Sequence, residues 1–372
     1  MSVPIGKSLE AAVRGIRPYV APSYRRAYRE LLARGLDQRR AGEPMVCCDF
    51  TDPAINGVGG RYYFSLVRDL IDAGYFPVFT ARRGTLSSLG TSRMKSPLLA
   101  ERLGAIPSPD DLREPYFLIT DSDAPAPLLA TRVVRVRYEW RLCELPDEIA
   151  FPVFVHPRIT AEISLPFIYQ TSATRPERIF FGGNTAGGKY DKNTLHDVYG
   201  MLTRREMLDA ACAAMPAGDI HRPSDAPAWL ESAASHPFVL CETRRCKIPP
   251  HRWLEALAKA DFFLACPGVG MPPCHNLIEA MAAGCVPILQ YADYPPPPLL
   301  DRVNCLVFDD AGSLGEVIAE VRSMSQEKIR ELRANVRQHY EQFLAPGRFA
   351  QRLFTGPHER LTLLLNAYRV PR

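Results

Sequence analysis

Short apolar runs alternate with segments of helical periodicity through most of the chain. The run at 45–50 has the pattern of a buried parallel strand, and a glycine-rich loop follows it. The segment 61–73 predicts a helix whose apolar residues share one face: Tyr63, Leu66, Val67, Leu70 and Ile71. Gly74 is suited to end this helix, and 75–81 predicts the next strand. This order of elements predicts the beginning of a doubly wound α/β domain.

Two further strands are predicted in the first half of the chain, at 116–123 and 131–138. The segment 150–159 contains two prolines, so it predicts an edge strand or a linker. We place the junction between two domains near 157–175.

The same alternation starts again after this junction, which predicts a second domain of the same class. Its predicted strands are 178–183, 236–243, 261–268, 285–291 and 305–310. Its predicted helices are 205–215, 251–260, 275–284, 313–324 and 325–344, the last with Ser325 as its N-cap. The tail from 347 has helical character as far as Pro371.

These elements predict four parts of the chain. Residues 1–40 form a basic helical arm, and 41–160 form an N-terminal Rossmann-like domain. Residues 161–345 form a C-terminal Rossmann-like domain, and 346–372 form a helix that returns to the first domain. The length of 372 residues suits two domains better than one.

Composition excludes some classes of protein. The net charge of +4 gives no indication of a nucleic-acid binder. The ten cysteines lack the paired CxxC spacing of a structural zinc site, and several lie in apolar runs, which favours free buried thiols in a reducing compartment. No segment approaches the roughly 20 apolar residues of a membrane span, and the N-terminus lacks the pattern of a secretory signal. We therefore expect a cytoplasmic protein.

The first forty residues are rich in basic side chains, and apolar residues lie between them. The basic residues are Lys7, Arg14, Arg17, Arg25, Arg26, Arg29, Arg34, Arg39 and Arg40. One interpretation is a helical arm packed on the N-terminal domain. The other is weak peripheral contact with an anionic inner membrane face.

The segment 261–291 carries the clearest chemical signal. A buried strand ends in a turn containing Gly268 and Gly270, and a helix begins near Pro273. Glycines let the backbone approach a ligand, and the free N–H groups of a helix start bind phosphate. Glu279 lies about one turn into the helix, where its carboxylate could reach a ribose. Glycine spacing by itself is equally compatible with a simple tight turn.

This segment resembles the C-terminal donor-binding half of GT-B glycosyltransferases, and most closely the exostosin family. The resemblance is carried by Cys266-Pro267-Gly268, Glu279-Ala280 and Gly284-Cys285-Val286-Pro287 in that order, and by the upstream RIFFGGN. It covers roughly 178–310, and the N-terminal half is similar only in architecture. It implies two Rossmann-like domains facing a cleft, a C-terminal crossover helix, and a nucleotide-sugar donor bound in the cleft.

Two departures from the family pattern refine this expectation. The exostosin arginine before the glutamate helix is replaced by Cys274 and His275. The second glutamate of retaining GT-B enzymes is replaced by Met271. The resemblance therefore implies an inverting, metal-independent transferase without a cofactor, which moves a sugar from a nucleotide diphosphate to a hydroxyl of a glycan or lipid-linked acceptor in polysaccharide biosynthesis.

Several basic residues are candidates to contact the donor diphosphate. They are Arg244, Arg245 and Lys247 after one strand, Lys189 in a glycine turn, and Arg204 and Arg205 at a helix start. Any one of them is also compatible with a solvated surface charge. His275 and Asn276, beside the glycine turn, are further candidates for donor contact.

An inverting enzyme needs a base for the acceptor hydroxyl. Acidic residues lie at the ends of two predicted strands, and of these Asp52 and Asp123 are the first candidates; the alternatives are Asp49, Asp121 and, at the domain junction, His156. Two other functions remain open on the same fold: a nucleotide-sugar epimerase and a non-catalytic interaction protein.

Overall fold

The computed structural model describes residues 16, 18–52, 55, 57–89, 94–139, 141–167, 169, 174–185, 194–269 and 271–365. These residues form two compact units, each built on one parallel sheet. Unit 1 contains the described residues of Met1–Phe151 and Pro346–Arg369, and unit 2 contains those of Pro152–Ala345. The predicted class of two Rossmann-like α/β domains is confirmed. The chain enters unit 2 after Phe151, upstream of the predicted division at 160/161.

The described part of unit 1 contains seven parallel strands in the order β3-β2-β1-β4-β5-β13-β6. They are β1 (Met45–Asp49), β2 (Phe76–Thr80), β3 (Gly104–Ile106), β4 (Tyr116–Thr120), β5 (Ala130–Arg137), β6 (Glu148–Ala150) and β13 (Arg360–Leu364). Its α-helices are α1 (Pro22–Leu32), α2 (Gly57–Asp72), α3 (Arg83–Leu86) and α12 (Arg348–Thr355). Strands β1 and β2 are buried along their whole length, as their uninterrupted apolar runs predict.

The described part of unit 2 contains six parallel strands in the order β12-β11-β10-β7-β9-β8. They are β7 (Glu177–Gly183), β8 (Ile220–His221), β9 (His236–Glu242), β10 (Ala260–Leu264), β11 (Val286–Leu289) and β12 (Leu306–Val307). The α-helices are α4 (Pro157–Thr160), α5 (Thr194–Tyr199), α6 (Arg204–Ala213), α7 (Ala226–Glu231), α8 (Trp253–Ala258), α9 (His275–Ala282), α10 (Ala311–Ser323) and α11 (Gln326–His339). Ser325 caps α11 as predicted, accepting a hydrogen bond from the Lys328 N–H.

The structure corrects one prediction about these elements, decides between two alternatives and adds short strands. The tail is helical only at Arg348–Thr355, and Arg360–Leu364 is a strand, because a short leucine run fits a buried strand as well as a helix. Of the two interpretations of 150–159, the structure supports the linker, because β6 ends at Ala150 before the prolines of this segment. Strands β3 and β8 were not predicted, because they contain only three and two residues.

Helix α12 is fixed to helix α2 through a buried carboxylate. Asp69 of α2 accepts hydrogen bonds from the N–H groups of Gly347 and Ala350, both at 2.7 Å. Gly347 has a φ of +80°, and a Cβ there would lie 2.8 Å from the Ala73 nitrogen. The first turn of α12 therefore has its N–H groups satisfied by another helix of unit 1.

All ten cysteines are free thiols, in agreement with the prediction from their spacing. Burial raises the pKa of Cys266 to about 12, so this thiol stays protonated at neutral pH. In the described ranges, no helix combines the length and the apolar character needed to cross a bilayer.

Candidate functional site

The strand order of unit 2 reverses between β7 and β10. From β7, the chain first builds one side of the sheet with β8 and β9, then crosses to build the other side with β10, β11 and β12. Ligands of open α/β sheets bind at the carboxyl ends of the strands at such a reversal. The turns after β7 and β10 are therefore the place in unit 2 to look for a ligand site.

The turn after β10 leads directly into α9. The Gly268 N–H donates to the Pro272 carbonyl at 3.1 Å, and a Cβ on Gly268 would lie 2.6 Å from the Met271 oxygen. Gly268 is thus required by the turn itself, as the tight-turn interpretation expects. Gly270 lies outside the described residues.

The N-terminus of α9 has no side-chain cap. Its N-cap, Cys274, makes no side-chain capping hydrogen bond. Helix α8 also lacks a side-chain cap, whereas five other helices of unit 2 are capped, through His156 on α4, Thr203 on α6, Asp225 on α7, Asp310 on α10 and Ser325 on α11. An uncapped helix start beside a strand reversal is suited to an anion, because its N–H groups and dipole both favour negative charge.

Glu279 is buried, and protein donors contact both of its carboxylate oxygens. Oε1 accepts from the His156 N–H at 3.0 Å, and Oε2 accepts from the Trp253 indole N–H at 2.6 Å. The carboxylate therefore joins α9 to the start of α8 and to the segment before α4. This is a structural role that the sequence did not indicate, and the ribose contact stays a prediction.

His275 and Asn276 at the start of α9 both contact neighbouring segments of unit 2. His275 Nδ1 lies 2.7 Å from the Phe154 carbonyl, which places the proton of the neutral ring on Nδ1. Its ring packs edge-on against His156, with centroids 5.0 Å apart. Asn276 donates to the Gly182 carbonyl at 3.2 Å, at the end of β7. The structure thus brings His275, Asn276 and Glu279 together on one helix beside the strand reversal.

Arg204 joins the two turns at the reversal. Its guanidinium donates to the Asn184 carbonyl after β7 at 2.9 Å and to the Pro267 carbonyl after β10 at 3.1 Å. The side chain is buried over the Phe181 ring. A cation fixed between these two turns adds positive potential where a ligand anion would bind.

The other described basic candidates lie at the same edge of the sheet but are exposed. Arg244, Arg245 and Lys247 follow β9, and their side chains make no hydrogen bond or ion pair with the part of the chain that the structure describes. Arg205 donates to the Thr185 carbonyl at 3.2 Å. Lys189 lies outside the described residues. These positions are compatible with either a solvated surface or contacts to a bound anion.

The sheet of unit 1 also reverses its order, between β1 and β4, and acidic residues lie there. Asp121, after β4, accepts hydrogen bonds from the Thr51 and Asp52 N–H groups at 2.7 and 2.8 Å. It also accepts from the Thr51 hydroxyl and from the Tyr138 hydroxyl, at 2.7 and 2.9 Å. Burial and the charge of Asp121 raise the pKa of Tyr138. Asp121 therefore positions the turn that carries Asp52, and both of its carboxylate oxygens accept hydrogen bonds from this unit.

Asp123 has a different environment from Asp52. Its exposed carboxylate pairs with Arg137, and the hydrogen bond from Arg137 lowers the pKa of Asp123 below its usual range. A lowered pKa makes a carboxylate a weaker base. Asp49 is buried and accepts from the Thr80 hydroxyl at 2.6 Å and from Arg82 at 3.0 Å, which is a structural arrangement.

The predicted glycine-rich loop of unit 1 is helical from Gly57 onward, and close packing explains one of its glycines. Gly60 has a φ of +82°, and a Cβ there would lie 2.7 Å from the buried Lys95 side chain. Lys95 Nζ lies 5.1 Å from the Tyr63 ring centroid and donates to the Ser88 hydroxyl at 2.5 Å. Burial lowers the pKa of Lys95 to about 7. Gly60 is thus fixed by packing within unit 1 rather than by approach of a ligand.

No group of three or more His, Cys, Asp or Glu side chains is arranged to hold a metal ion within the described ranges.

The sequence does not reveal the structural contacts of three residues at these sheet edges: Arg204, Asp121 and Trp253. For Arg204 and Asp121 the local sequence indicates a position near a ligand site, because Arg204 begins a helix and Asp121 follows a strand. The local sequence around Trp253 does not indicate its contact with Glu279, because the two residues are 26 positions apart.

No protein-family model matches the sequence, and no curated protein matches it. Solved structures similar to it include WaaG, a glycosyltransferase involved in lipopolysaccharide biosynthesis, at 12% identity and a TM-score of 0.35, covering 84% of this chain and 100% of that one. HepE from Anabaena in complex with UDP has 10% identity and a TM-score of 0.37, with coverages of 80% and 95%. AviGT4, a glycosyltransferase involved in avilamycin A biosynthesis, has 12% identity and a TM-score of 0.31, with coverages of 84% and 99%. At such low identities and TM-scores these similarities carry no argument about function, which has to come from the residues of the site.

Proposed function

We propose that the protein is a GT-B glycosyltransferase of the exostosin-like type, which transfers a sugar from a nucleotide-diphosphate sugar to a hydroxyl of a glycan or lipid-linked acceptor. The observation that carries the proposal is the strand reversal of unit 2. There an uncapped helix start, a buried arginine joining two turns, and three exposed cations lie at one edge of a parallel sheet. That combination suits a diphosphate.

The chemistry of the proposed reaction follows from these groups. Cleavage of the sugar–phosphate bond leaves additional negative charge on the diphosphate. The α9 N–H groups would stabilise that charge without reorganising, since Arg204 fixes the turn that leads into α9, and the exposed cations after β9 would add to this effect. Met271 stands where retaining relatives have a second glutamate, which supports inversion and a direct attack by the acceptor hydroxyl. This attack needs a base but no metal ion.

Nucleotide binding is the first test of this function. We expect one of UDP, GDP or CMP, or its sugar, to raise the melting temperature of the protein, because a ligand at a hundredfold excess over its Kd stabilises by roughly 2.7 kcal/mol. Arg245→Gln should weaken the response if the cations after β9 contact the diphosphate, whereas the exposed Arg330→Gln on α11 should not.

Product analysis then separates the three candidate functions. A transferase releases nucleoside diphosphate only when an acceptor is present. An epimerase changes the sugar without any acceptor, and a non-catalytic protein gives neither product. No stabilisation by any nucleotide in the screen would remove the proposed donor site.

The base is expected to be Asp52 rather than Asp123. Asp52→Asn should lower kcat by about 10²- to 10⁴-fold, the usual contribution of a positioned base. Asp123→Asn is the matched control, because Arg137 already lowers the pKa of this exposed carboxylate. Donor affinity, measured by calorimetry, should stay the same in both variants. Full turnover of Asp52→Asn, or an NMR-detected product with retained anomeric configuration, would contradict this assignment.

We also propose weak, salt-sensitive contact between the N-terminal arm and an anionic membrane surface. Helix α1 packs on unit 1 through Ala27 and Leu31, as the packed-arm interpretation expects. Its arginines at 25, 26 and 29 nevertheless lie exposed. Exposed apolar residues precede them: Ile16, Tyr19 and Val20. Exposed arginines beside exposed apolar side chains suit the headgroup region of a bilayer.

This contact predicts co-sedimentation with vesicles that contain phosphatidylserine at low salt. Each basic residue near such a surface contributes about 1 kcal/mol, so replacing Arg25, Arg26 and Arg29 by glutamine should abolish pelleting. The replacement of Arg330, Arg348 and Lys328 by glutamine removes the same charge elsewhere and should leave pelleting intact. Equal pelleting of both triple variants would refute the arm as the contact.

A further inference from the structure

A buried tyrosine hydroxyl lies at the carboxyl edge of the unit 2 sheet. Tyr291, two residues after the end of β11, is only 1% exposed. Its hydroxyl makes no hydrogen bond with any residue that the structure describes. A buried hydroxyl without a partner costs free energy, and buried polar side chains of native proteins are nearly always paired with protein groups, water or a ligand. A molecule that binds at this edge would supply the partner that Tyr291 lacks among the described residues.

The sheet places Tyr291 beside the start of α9. Strand β11 pairs in parallel with β10, so the residues that follow these two strands lie side by side at one edge. Three groups from the turns at this edge act electrostatically on the Tyr291 hydroxyl: Cys274, which is the N-cap of α9, then Cys266 and Arg204. The hydroxyl therefore faces the uncapped helix start where the proposed function places the diphosphate.

These neighbours offer hydrogen-bond donors rather than a strong acceptor. The Arg204 guanidinium has no acceptor atom, and its terminal nitrogens donate to the Asn184 and Pro267 carbonyls. Burial raises the pKa of Cys266 to about 12, so this residue is a neutral thiol and a weak acceptor. Burial also raises the pKa of Tyr291, so its hydroxyl keeps its proton at neutral pH. A phenol, a guanidinium and the N–H groups of a helix start all suit the same partner, an anion with several oxygen acceptors.

We propose that Tyr291 binds the nucleotide: its hydroxyl donates a hydrogen bond to a phosphate oxygen of a nucleoside diphosphate held at the start of α9. This assignment rests on the proposed function and adds a binding residue that the sequence did not indicate. In the free protein the hydroxyl is closed to water, so the phosphate reaches it only when a neighbouring side chain moves. Cys274 is suited to move, because it is half-buried and its thiol contacts Asn276 Oδ1 weakly, over 3.8 Å.

The variant Tyr291→Phe tests this role, because it removes the hydroxyl and keeps the ring. Calorimetric titration measures the binding of UDP, GDP and inorganic pyrophosphate, the last of which has the phosphates without base or sugar. We expect Tyr291→Phe to weaken the binding of pyrophosphate, and of whichever nucleotide binds, by about tenfold or more, the usual effect of losing one hydrogen bond to a charged group. The melting temperature of the free variant should be unchanged or higher, because the lost hydroxyl has no partner in the described ranges.

Tyr116→Phe is the matched control. Tyr116 begins β4 of unit 1 and is 2% exposed, and its hydroxyl likewise makes no hydrogen bond within the part of the chain that the structure describes. Removal of this hydroxyl should affect the melting temperature in the same direction as Tyr291→Phe does, and it should leave the affinity for all three probes unchanged. The comparison separates the loss of a buried hydroxyl in general from the loss of one at the start of α9.

The failure of this assignment and the failure of the proposed function give different results. If the unchanged protein binds none of the three probes, the proposed nucleotide site is removed, and the role of Tyr291 with it. If the unchanged protein binds a probe and Tyr291→Phe binds it equally well, only the role of Tyr291 is overturned, and a buried water is then the partner of its hydroxyl. A Tyr291→Phe protein that melts clearly below Tyr116→Phe, or does not fold, also overturns this role, because the hydroxyl then acts in the structure of the free protein.

Discussion

Replacing Asp69 by alanine is expected to lower the free energy of unfolding of unit 1 by about 3 kcal/mol, because two buried N–H groups lose their acceptor. These N–H groups belong to Gly347 and Ala350 in the first turn of α12, and both lie 2.7 Å from the carboxylate. No water can replace the lost acceptor without opening the contact, since Asp69 is only 2% exposed. Urea denaturation followed by circular dichroism measures the change.

Asp72→Ala is the matched control on the same helix. Asp72 is exposed and forms an i,i+4 pair with Arg68 at 2.8 Å. Exposed pairs of this kind contribute only about 0.3–0.5 kcal/mol. Similar losses in the two variants would show that the Asp69 contacts do not hold α12 in place.

The second large effect is expected at Glu279. Glu279→Gln should lower the free energy of unfolding by about 2 kcal/mol, because the amide presents an N–H₂ group to one of two N–H donors. Those donors are the His156 backbone and the Trp253 indole. Glu255→Gln serves as the control, since that carboxylate pairs with Arg252 at the surface of α8.

A double-mutant cycle with Trp253→Phe separates the structural role of Glu279 from a ribose contact. If the carboxylate acts only through the indole, the stability losses of the two changes should be non-additive by about 1 kcal/mol. A ribose contact would add a loss of nucleotide affinity in Glu279→Gln that Trp253→Phe lacks. Unchanged nucleotide affinity in Glu279→Gln would remove the ribose role, whatever happens to stability.

The architecture was largely predictable because each buried strand of these sheets is a continuous apolar run. Strands β1, β2, β7 and β10 could be predicted for this reason. The end of α2 could be predicted from Gly74, which has the positive φ, +86°, that favours glycine after a helix. Strand β13 was misread because Leu361, Leu363 and Leu364 fit both periods over so short a segment. Its strand state is set by pairing with β5 and β6, which lie far away in the sequence.

The elements that form the candidate site were predictable in position, but the contacts of its residues only in part. The turn after β10 and the helix start at His275 follow from local sequence signals. Whether a polar residue there contacts protein or ligand depends on partners distant in sequence. Glu279 illustrates this, because its donors come from residues 156 and 253. Arg204 illustrates it again, since helix position alone does not reveal that a guanidinium joins two turns.

The place of β13 in the unit 1 sheet has a consequence for the order in which the protein forms on the ribosome. The strand pairs with β5 on one side and β6 on the other, yet it is translated after all the described residues of unit 2, Pro152–Ala345. Domains usually fold in the order of their synthesis. Here unit 2 can be complete while β5 and β6 still lack the strand between them, so the N-terminal unit is the last to finish. During that interval the edge of β5 is unpaired, and an unpaired strand edge is a template for pairing with another chain.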